Sequence, residues 1–98
     1  MNIRIDPENS EIQALSQFAD RFAGKRVLEV GCGDGRVTKL YAPFAASVHA
    51  IDPDPDDIAE AIAALPEELR HVVQYEATSI ETYSTEVLYD AVLLSWSL

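Results

Sequence analysis

The chain has 98 residues, which is below the usual size of one domain, and a formal net charge of −10. Its apolar fraction is that of a globular protein. This acidic balance argues against a broad nucleic-acid or anionic-membrane surface, because either needs clustered Lys and Arg. Cys32 is the single cysteine, so no internal disulfide can form and no cysteine-based metal site is indicated.

The amino-terminal sequence is polar and charged and does not resemble a signal peptide. Apolar runs also fall short of the roughly 20 residues that a membrane-spanning helix needs. We therefore expect a cytoplasmic protein.

In chain order, an amphipathic helix is predicted from Asn9 or Ser10 to Ala23, with Gly24 as its C-terminal stop. Arg26–Val30 has the character of a buried strand, and a second helix is predicted from Gly35 to Phe44.

The second half of the chain continues this alternation. We predict a strand at Ser47–Ile51, a helix from Asp56 or Asp57 to Leu65, a strand at Val72–Tyr75, a short helix at Ile80–Leu88 and a strand at Tyr89–Ser95. Strands that alternate with helices predict right-handed βαβ units and a parallel sheet.

The stretch at residues 26–36, RVLEVGCGDGR, has the pattern of a strand, a tight glycine turn and the start of a helix. Glycine accepts left-handed backbone angles and lets a ligand lie against the main chain. Backbone N–H groups at the start of a helix then face the contents of the turn.

Two kinds of nucleotide-type ligand suit such a turn, a dinucleotide with its pyrophosphate and a ligand that carries positive charge. The dinucleotide pattern G-x-G-x-x-G needs a small residue at position 36, where this chain has Arg36, and its third glycine comes one place early at Gly35. The carboxylates of Glu29 and Asp34 would repel a pyrophosphate, whereas they would attract a ligand that carries an ammonium and a sulfonium.

This stretch resembles motif I of the class I S-adenosylmethionine-dependent methyltransferases, acidic-x-G-x-G-x-G, with Glu29, Gly31, Gly33 and Gly35 in the defining places. The resemblance implies a Rossmann-like three-layer α/β/α fold with a parallel sheet of strand order 3-2-1-4. It also implies S-adenosylmethionine as the cofactor and S-adenosylhomocysteine as its product.

Asp52 stands at the tip of the second predicted strand, about 20 residues after the glycine turn, where an acidic residue can accept both hydroxyls of a ribose. By the same resemblance, the implied cofactor-binding residues are Glu29, Gly31, Cys32, Gly33, Asp34, Gly35, Asp52, Pro53, Ala77, Thr78 and Ser95. No catalytic residue can be named. His49 and His71 have no partner at metal-ligand spacing, so no metal site is predicted.

The family sheet has seven strands and this sequence supplies four, so residues 1–98 are expected to form a single, incomplete, cofactor-binding domain. The predicted function is methyl transfer to a small-molecule acceptor. The alternatives are a non-catalytic S-adenosylmethionine-binding or interaction module and an NAD(P)-binding Rossmann domain. The apolar fourth strand would become a sheet edge, which predicts a homodimer or a partner chain there.

Overall fold

The computed structural model describes residues 20–95, which form one four-stranded sheet. Its strands are β1 (Arg26–Val30), β2 (Ser47–Asp52), β3 (Val73–Ala77) and β4 (Ala91–Leu94). Every strand pair is parallel and the order is β3-β2-β1-β4. The predicted α/β class and strand order are confirmed.

Two helices that lie wholly within the described region contribute to the core on one face of this sheet. They are α1 (Thr38–Tyr41) and α2 (Pro55–Ala64), and a 3₁₀ turn at Glu67–Leu69 follows. The buried residues on this side include Phe22, Val27, Tyr41, Val48, Ala50, Ile58, Leu65, Val73 and Leu93. The predicted first helix lies mostly outside the described residues. Its described part is helical at residues 20–22.

The helix predicted for residues 35–44 is much shorter than expected. Gly35 has a φ of +82°, which a right-handed helix cannot accommodate, so the turn extends to Val37 and α1 begins only at Thr38. Pro43 has no N–H with which to continue the helical hydrogen bonds, and α1 ends at Tyr41.

Helix α2 agrees more closely with the prediction. The Asp54 carboxylate accepts from the N–H groups of Asp56 and Asp57 at 2.9 and 3.4 Å, and Pro55 occupies the first turn. Ile58 and Ala61 are buried, whereas Ile62 is 44% exposed.

The helix predicted at Ile80–Leu88 was wrong. Residues 80–82 form a turn and residues 83–89 have no regular structure. The Tyr83 and Tyr89 rings instead pack on the second face of the sheet, over Leu28, Val30 and Ile51. In the described part of the chain, this segment covers that face in place of a helical layer.

A hydrogen-bond network holds this segment in place. The Tyr83 and Tyr89 hydroxyls are 2.7 Å apart, and each lies 3.2 Å from Nδ1 of His49. Nε2 of His49 lies 2.9 Å from a Glu76 carboxylate oxygen. His49 and Glu76 therefore anchor the segment to β2 and β3, on the face away from the helices.

Candidate functional site

The residues predicted to bind a cofactor come together at the carboxyl ends of the four strands. The glycine turn follows β1, Asp52 ends β2, Ala77 ends β3 and Ser95 follows β4. Strands β2 and β4 flank β1 on opposite sides, so the chain changes direction across the sheet beside the glycine turn. Open parallel sheets bind their ligands at such a switch point.

The glycine turn is pinned to the neighbouring strand by its backbone. The N–H groups of Gly31 and Cys32 donate to the Ile51 carbonyl at 2.8 and 3.1 Å, and Gly35 N–H donates to the Cys32 carbonyl at 3.0 Å. Gly31, Gly33 and Gly35 all have positive φ, between +54° and +82°. The sequence needs glycine here because other residues adopt these angles only with strain.

Two of these glycines face different surroundings. A Cβ atom built on Gly33 would meet nothing within 4 Å, so this part of the turn is open. A Cβ atom on Gly35 would overlap the hydroxyl of Tyr75 and lie 3.1 Å from the Ala61 methyl group. The turn is therefore packed against Tyr75 and Ala61 at Gly35, whereas it is open at Gly33.

Asp52 connects the glycine turn to the second strand. Its Oδ2 accepts from the Gly33 N–H and its Oδ1 from the Asp54 N–H, both at 2.9 Å. The carboxylate is half-buried, and each of its oxygens has a further acceptor position. The arrangement can therefore accept hydrogen bonds from a pair of neighbouring hydroxyls.

Glu29 occupies a different environment from the one the sequence suggested. The residue is completely buried, and its Oε1 accepts from Thr38 Oγ1 at 2.5 Å and from the Tyr41 hydroxyl at 2.6 Å. Its Oε2 accepts from Ser95 Oγ at 2.6 Å. The structure corrects the expectation that this carboxylate faces a ligand, because its oxygens point into the protein and are satisfied there.

Thr38 and Tyr41 were missed by sequence reasoning as partners of the site. Their spacing of three residues on a predicted helix would have shown that the two hydroxyls share one face. Nothing in the sequence shows that Glu29 lies opposite them, since that contact depends on how α1 packs on the sheet.

Cys32 takes part in the glycine turn through its backbone N–H rather than through its thiol. The thiol side chain is buried in the core. Burial, with the charges of Glu29 and Asp52 as smaller causes, raises the pKa of the Cys32 thiol to about 12. The group stays protonated at neutral pH, so the structure offers no thiolate nucleophile.

Carboxylates concentrate around the opening of the turn. Asp34 is exposed and accepts from the Arg36 N–H at 3.2 Å. The pKa of the Asp57 carboxyl is raised, first by desolvation and then by the charges of Asp54 and Asp52. This edge of the sheet therefore favours a cationic ligand over a pyrophosphate.

The remaining predicted residues surround Asp52 or lie below the turn. Thr78 N–H donates to the Asp52 carbonyl at 3.0 Å, Ala77 pairs with Asp52 in the sheet, and Pro53 is exposed beside them. Ser95 is buried, and its hydroxyl lies 2.9 Å from the Gly31 carbonyl as well as beside Glu29. Ser95 is therefore placed to support the turn from inside.

No group of three or more His, Cys, Asp and Glu side chains within residues 20–95 could hold a metal ion. Among the same residues, none of the helices has the length and apolar character required to cross a membrane.

Comparison with known proteins places this geometry in a family. The family profile described as "Methyltransferase domain" matches residues 7–96. The chain is 39% identical over 80 residues to the ubiquinone biosynthesis O-methyltransferase of Methylocella silvestris, covering 76% of this chain and 31% of that protein. The chain belongs to the methyltransferase-domain family, as its glycine turn predicted.

Solved structures agree with the family. A protein from Listeria monocytogenes, assigned as an S-adenosylmethionine-dependent methyltransferase, superposes with a TM-score of 0.68 and 31% identity over 86% of this chain and 39% of its own. The N-methyltransferase NodS of Bradyrhizobium japonicum, crystallised with S-adenosyl-L-homocysteine, superposes with a TM-score of 0.66 and 26% identity over 87% and 43% of the two chains.

S-adenosylmethionine, the cofactor implied by the sequence, is the cofactor of this family of proteins. The chain spans less than half the length of each of these relatives, as little as 31%. The match includes the glycine turn and the ends of all four strands.

Proposed function

We propose that the chain is the cofactor-binding portion of an S-adenosylmethionine-dependent methyltransferase that acts on a small molecule. The observation that carries the proposal is the bond between the two predicted elements of the site. Asp52, the expected ribose acceptor, holds the N–H of Gly33 at 2.9 Å, at the point where the turn is open.

The residues of the carboxyl edge suit this cofactor. Asp52 would accept the ribose hydroxyls, and the backbone of residues 31–35 would lie against the methionine portion. Asp34 and Asp54 provide a negative field, which favours the ammonium and sulfonium charges. When bound, the cofactor supplies a methyl group on a sulfonium, and the protein contributes orientation and electrostatics.

The proposed acceptor is a small molecule that presents an oxygen or nitrogen nucleophile. Support comes from two relatives, an O-methyltransferase of ubiquinone biosynthesis and an N-methyltransferase. Incubating the chain with methyl-labelled S-adenosylmethionine and a panel of phenols and amines tests the proposal. Labelled product requires a catalytic chain, whereas cofactor binding without transfer to any acceptor would favour a non-catalytic binding module.

Calorimetric titration with S-adenosylmethionine and S-adenosylhomocysteine tests the cofactor site. Asp52→Ala should weaken binding by about tenfold to a hundredfold, because it removes a charged acceptor for the ribose and releases the Gly33 N–H. The control is Asp56→Ala, which removes an equal charge from an exposed position on the first turn of α2 and should change affinity by less than about threefold.

Equal losses in both variants would mean that only the net charge matters and would contradict a ribose contact. NADH provides the competing arm. Binding of NADH in preference to S-adenosylhomocysteine would favour the dinucleotide alternative, which the carboxylates and Arg36 disfavour.

A second part of the proposal concerns a partner at β4, either a second copy or another chain. In the described residues β4 pairs with β1 on one side only, and its Val92 and Leu94 side chains are 60% and 52% exposed. An apolar edge of this kind is a template for pairing with another strand. Light scattering at tens of micromolar should show a dimer.

Val92→Lys should shift that equilibrium towards monomer by placing a charge on the edge strand. Leu88→Lys is the control, because Leu88 is 76% exposed but lies outside the strand. A wild-type chain that remains monomeric would contradict self-association, and equal effects of the two substitutions would contradict the assignment to β4.

A further inference from the structure

The buried Glu29 carboxylate joins three segments of the chain. It lies on β1, its Oε1 holds the two α1 hydroxyls of Thr38 and Tyr41, and its Oε2 holds Ser95 after β4. The glycine turn connects β1 to α1. The Glu29 side chain therefore joins the strand before the turn to the helix after it.

Ser95 extends the connection to the turn itself. Its single hydroxyl proton has two good acceptors, Glu29 Oε2 at 2.6 Å and the Gly31 carbonyl at 2.9 Å. Its N–H donates to the Val30 carbonyl at 3.0 Å, which fixes the end of β4 beside the start of the turn. The end of β4 is thereby coupled to the backbone of the turn.

We infer that Glu29 is a positioning residue, which fixes the glycine turn through Ser95 and the α1 hydroxyls and makes no direct contact with the cofactor. The binding readouts of this inference rest on the function proposed above. A glutamine could fill the same role: its amide oxygen accepts from Thr38 and Tyr41 and its amide nitrogen donates to Ser95 Oγ. The bridging needs a planar group with polar atoms at both ends, and the charge is dispensable.

The experiment compares Glu29→Gln with Ser95→Ala, and Ser47→Ala at the opposite end of the sheet is the control for serine loss. Glu29→Gln should leave the affinity for S-adenosylmethionine and S-adenosylhomocysteine within about threefold of wild type, because the bridge survives. Ser95→Ala should weaken both ligands by about threefold to tenfold, and Ser47→Ala should change neither.

Amide hydrogen exchange supplies a readout without ligand. Exchange at Gly31 and Cys32 should accelerate by about tenfold in Ser95→Ala and stay near the wild-type rate in Glu29→Gln. If the wild-type chain binds neither ligand, the proposed function fails while this exchange pattern still decides the role of Glu29. Unchanged exchange in Ser95→Ala would overturn the positioning role.

A loss of tenfold or more in the binding of both ligands by a folded Glu29→Gln chain, with normal exchange, would also overturn the inference, since it would show a direct charge contact. If Glu29→Gln does not fold, Tyr41→Phe carries the test, because it removes one donor and keeps the carboxylate. Positioning then predicts faster exchange at the turn and weaker binding, whereas a direct charge contact predicts neither.

Discussion

Asp52 and Asp90 make similar hydrogen bonds at opposite ends of the sheet, in opposite electrostatic surroundings. At the carboxyl end, Asp52 accepts the Gly33 and Asp54 N–H groups. At the amino end, Asp90 Oδ2 accepts from the Arg26 N–H at 2.9 Å and lies 3.4 Å from Nε of the same arginine.

The difference lies in the neighbouring charges. Asp90 has a cation beside it, and the Arg26 hydrogen bonds, with its charge as a smaller cause, lower the pKa of its carboxyl. Asp52 instead belongs to a group of carboxylates, because the charges of Asp54, Asp52 and Asp34 all act on Asp57, whose pKa is raised first by desolvation and then by these charges. Asp90, which is paired with a cation, links β1 to the start of β4. Asp52, which lies among like charges, is suited to a ligand that carries positive charge.

The largest loss in the free energy of unfolding should come from Gly35→Ala, which tests how tightly the glycine turn is packed against Tyr75. The positive φ costs about 1–2 kcal/mol, and the overlap with Tyr75 adds about 1–3 kcal/mol. Gly33→Ala, which has only the backbone cost, is the matched control. Urea unfolding measures both, and equal losses would contradict the packing difference between the two glycines.

Substitutions of Asp52 and Asp90 should next differ in their effect on ligand affinity. Asp90→Ala should leave the affinity for S-adenosylhomocysteine within about twofold, because the residue lies at the amino end of β1. Asp52→Ala should lower that affinity by about 1.5–3 kcal/mol. Calorimetry on the two variants side by side gives the comparison, and a similar loss in both would remove the distinction between the ends.

Acid titration should separate Asp90 from Asp57 with opposite signs. The lowered pKa of Asp90 means that its stabilising contribution is present above the ordinary value of 3.8 and is lost as pH falls through the folded-state value below it. The raised pKa of Asp57 means that its ionised form destabilises the fold, and this cost disappears as pH falls towards 3.8.

Asp90→Asn should therefore lower the free energy of unfolding at neutral pH and flatten its fall in acid, whereas Asp57→Asn should raise it at neutral pH. Chemical unfolding at pH 7 and at about pH 3 checks both signs. Shifts in the same direction would show that the two edges do not differ in their electrostatics.

The smallest effect is expected for Tyr75→Phe. Within the described residues the buried Tyr75 hydroxyl makes no hydrogen bond of standard geometry, and burial raises its pKa to about 12 against the opposing influence of the Thr38 hydroxyl. Removing it should change the free energy of unfolding by less than about 1 kcal/mol, in the stabilising direction. In a double-mutant cycle with Gly35→Ala it should relieve part of the overlap; strict additivity would contradict the contact.

Much of the fold followed from local patterns in the sequence. The apolar runs predicted all four strands, the glycine spacing predicted the turn, and Asp52 was predicted correctly at the tip of the second strand. The hydrogen bond between Asp52 and Gly33 of the turn was not predicted. The features that were predicted depend on residues that are near in sequence or on strand ends that parallel pairing brings together.

The failures concern tertiary contacts. Residues 80–88 have helix-compatible spacing, but the Tyr83 and Tyr89 hydroxyls gain partners at His49 that an isolated helix could not offer. Glu29 was predicted to face the cofactor from its place before the glycine turn, which does not show where its side chain points. Its three hydroxyl donors come from positions 38, 41 and 95, and only the folded sheet brings them together.

The strand order has a consequence for how the molecule assembles. Residues Arg26 and Asp90 are 64 positions apart in the chain, and Glu29 and Ser95 are 66 apart, whereas Glu29 is only 9 and 12 positions from Thr38 and Tyr41. Long loops cost more entropy to close, so we expect β4 to dock last. Glu29 would then gain its two α1 donors early in folding and its third only when β4 pairs with β1, which makes Ser95 the residue that reports the docking of β4.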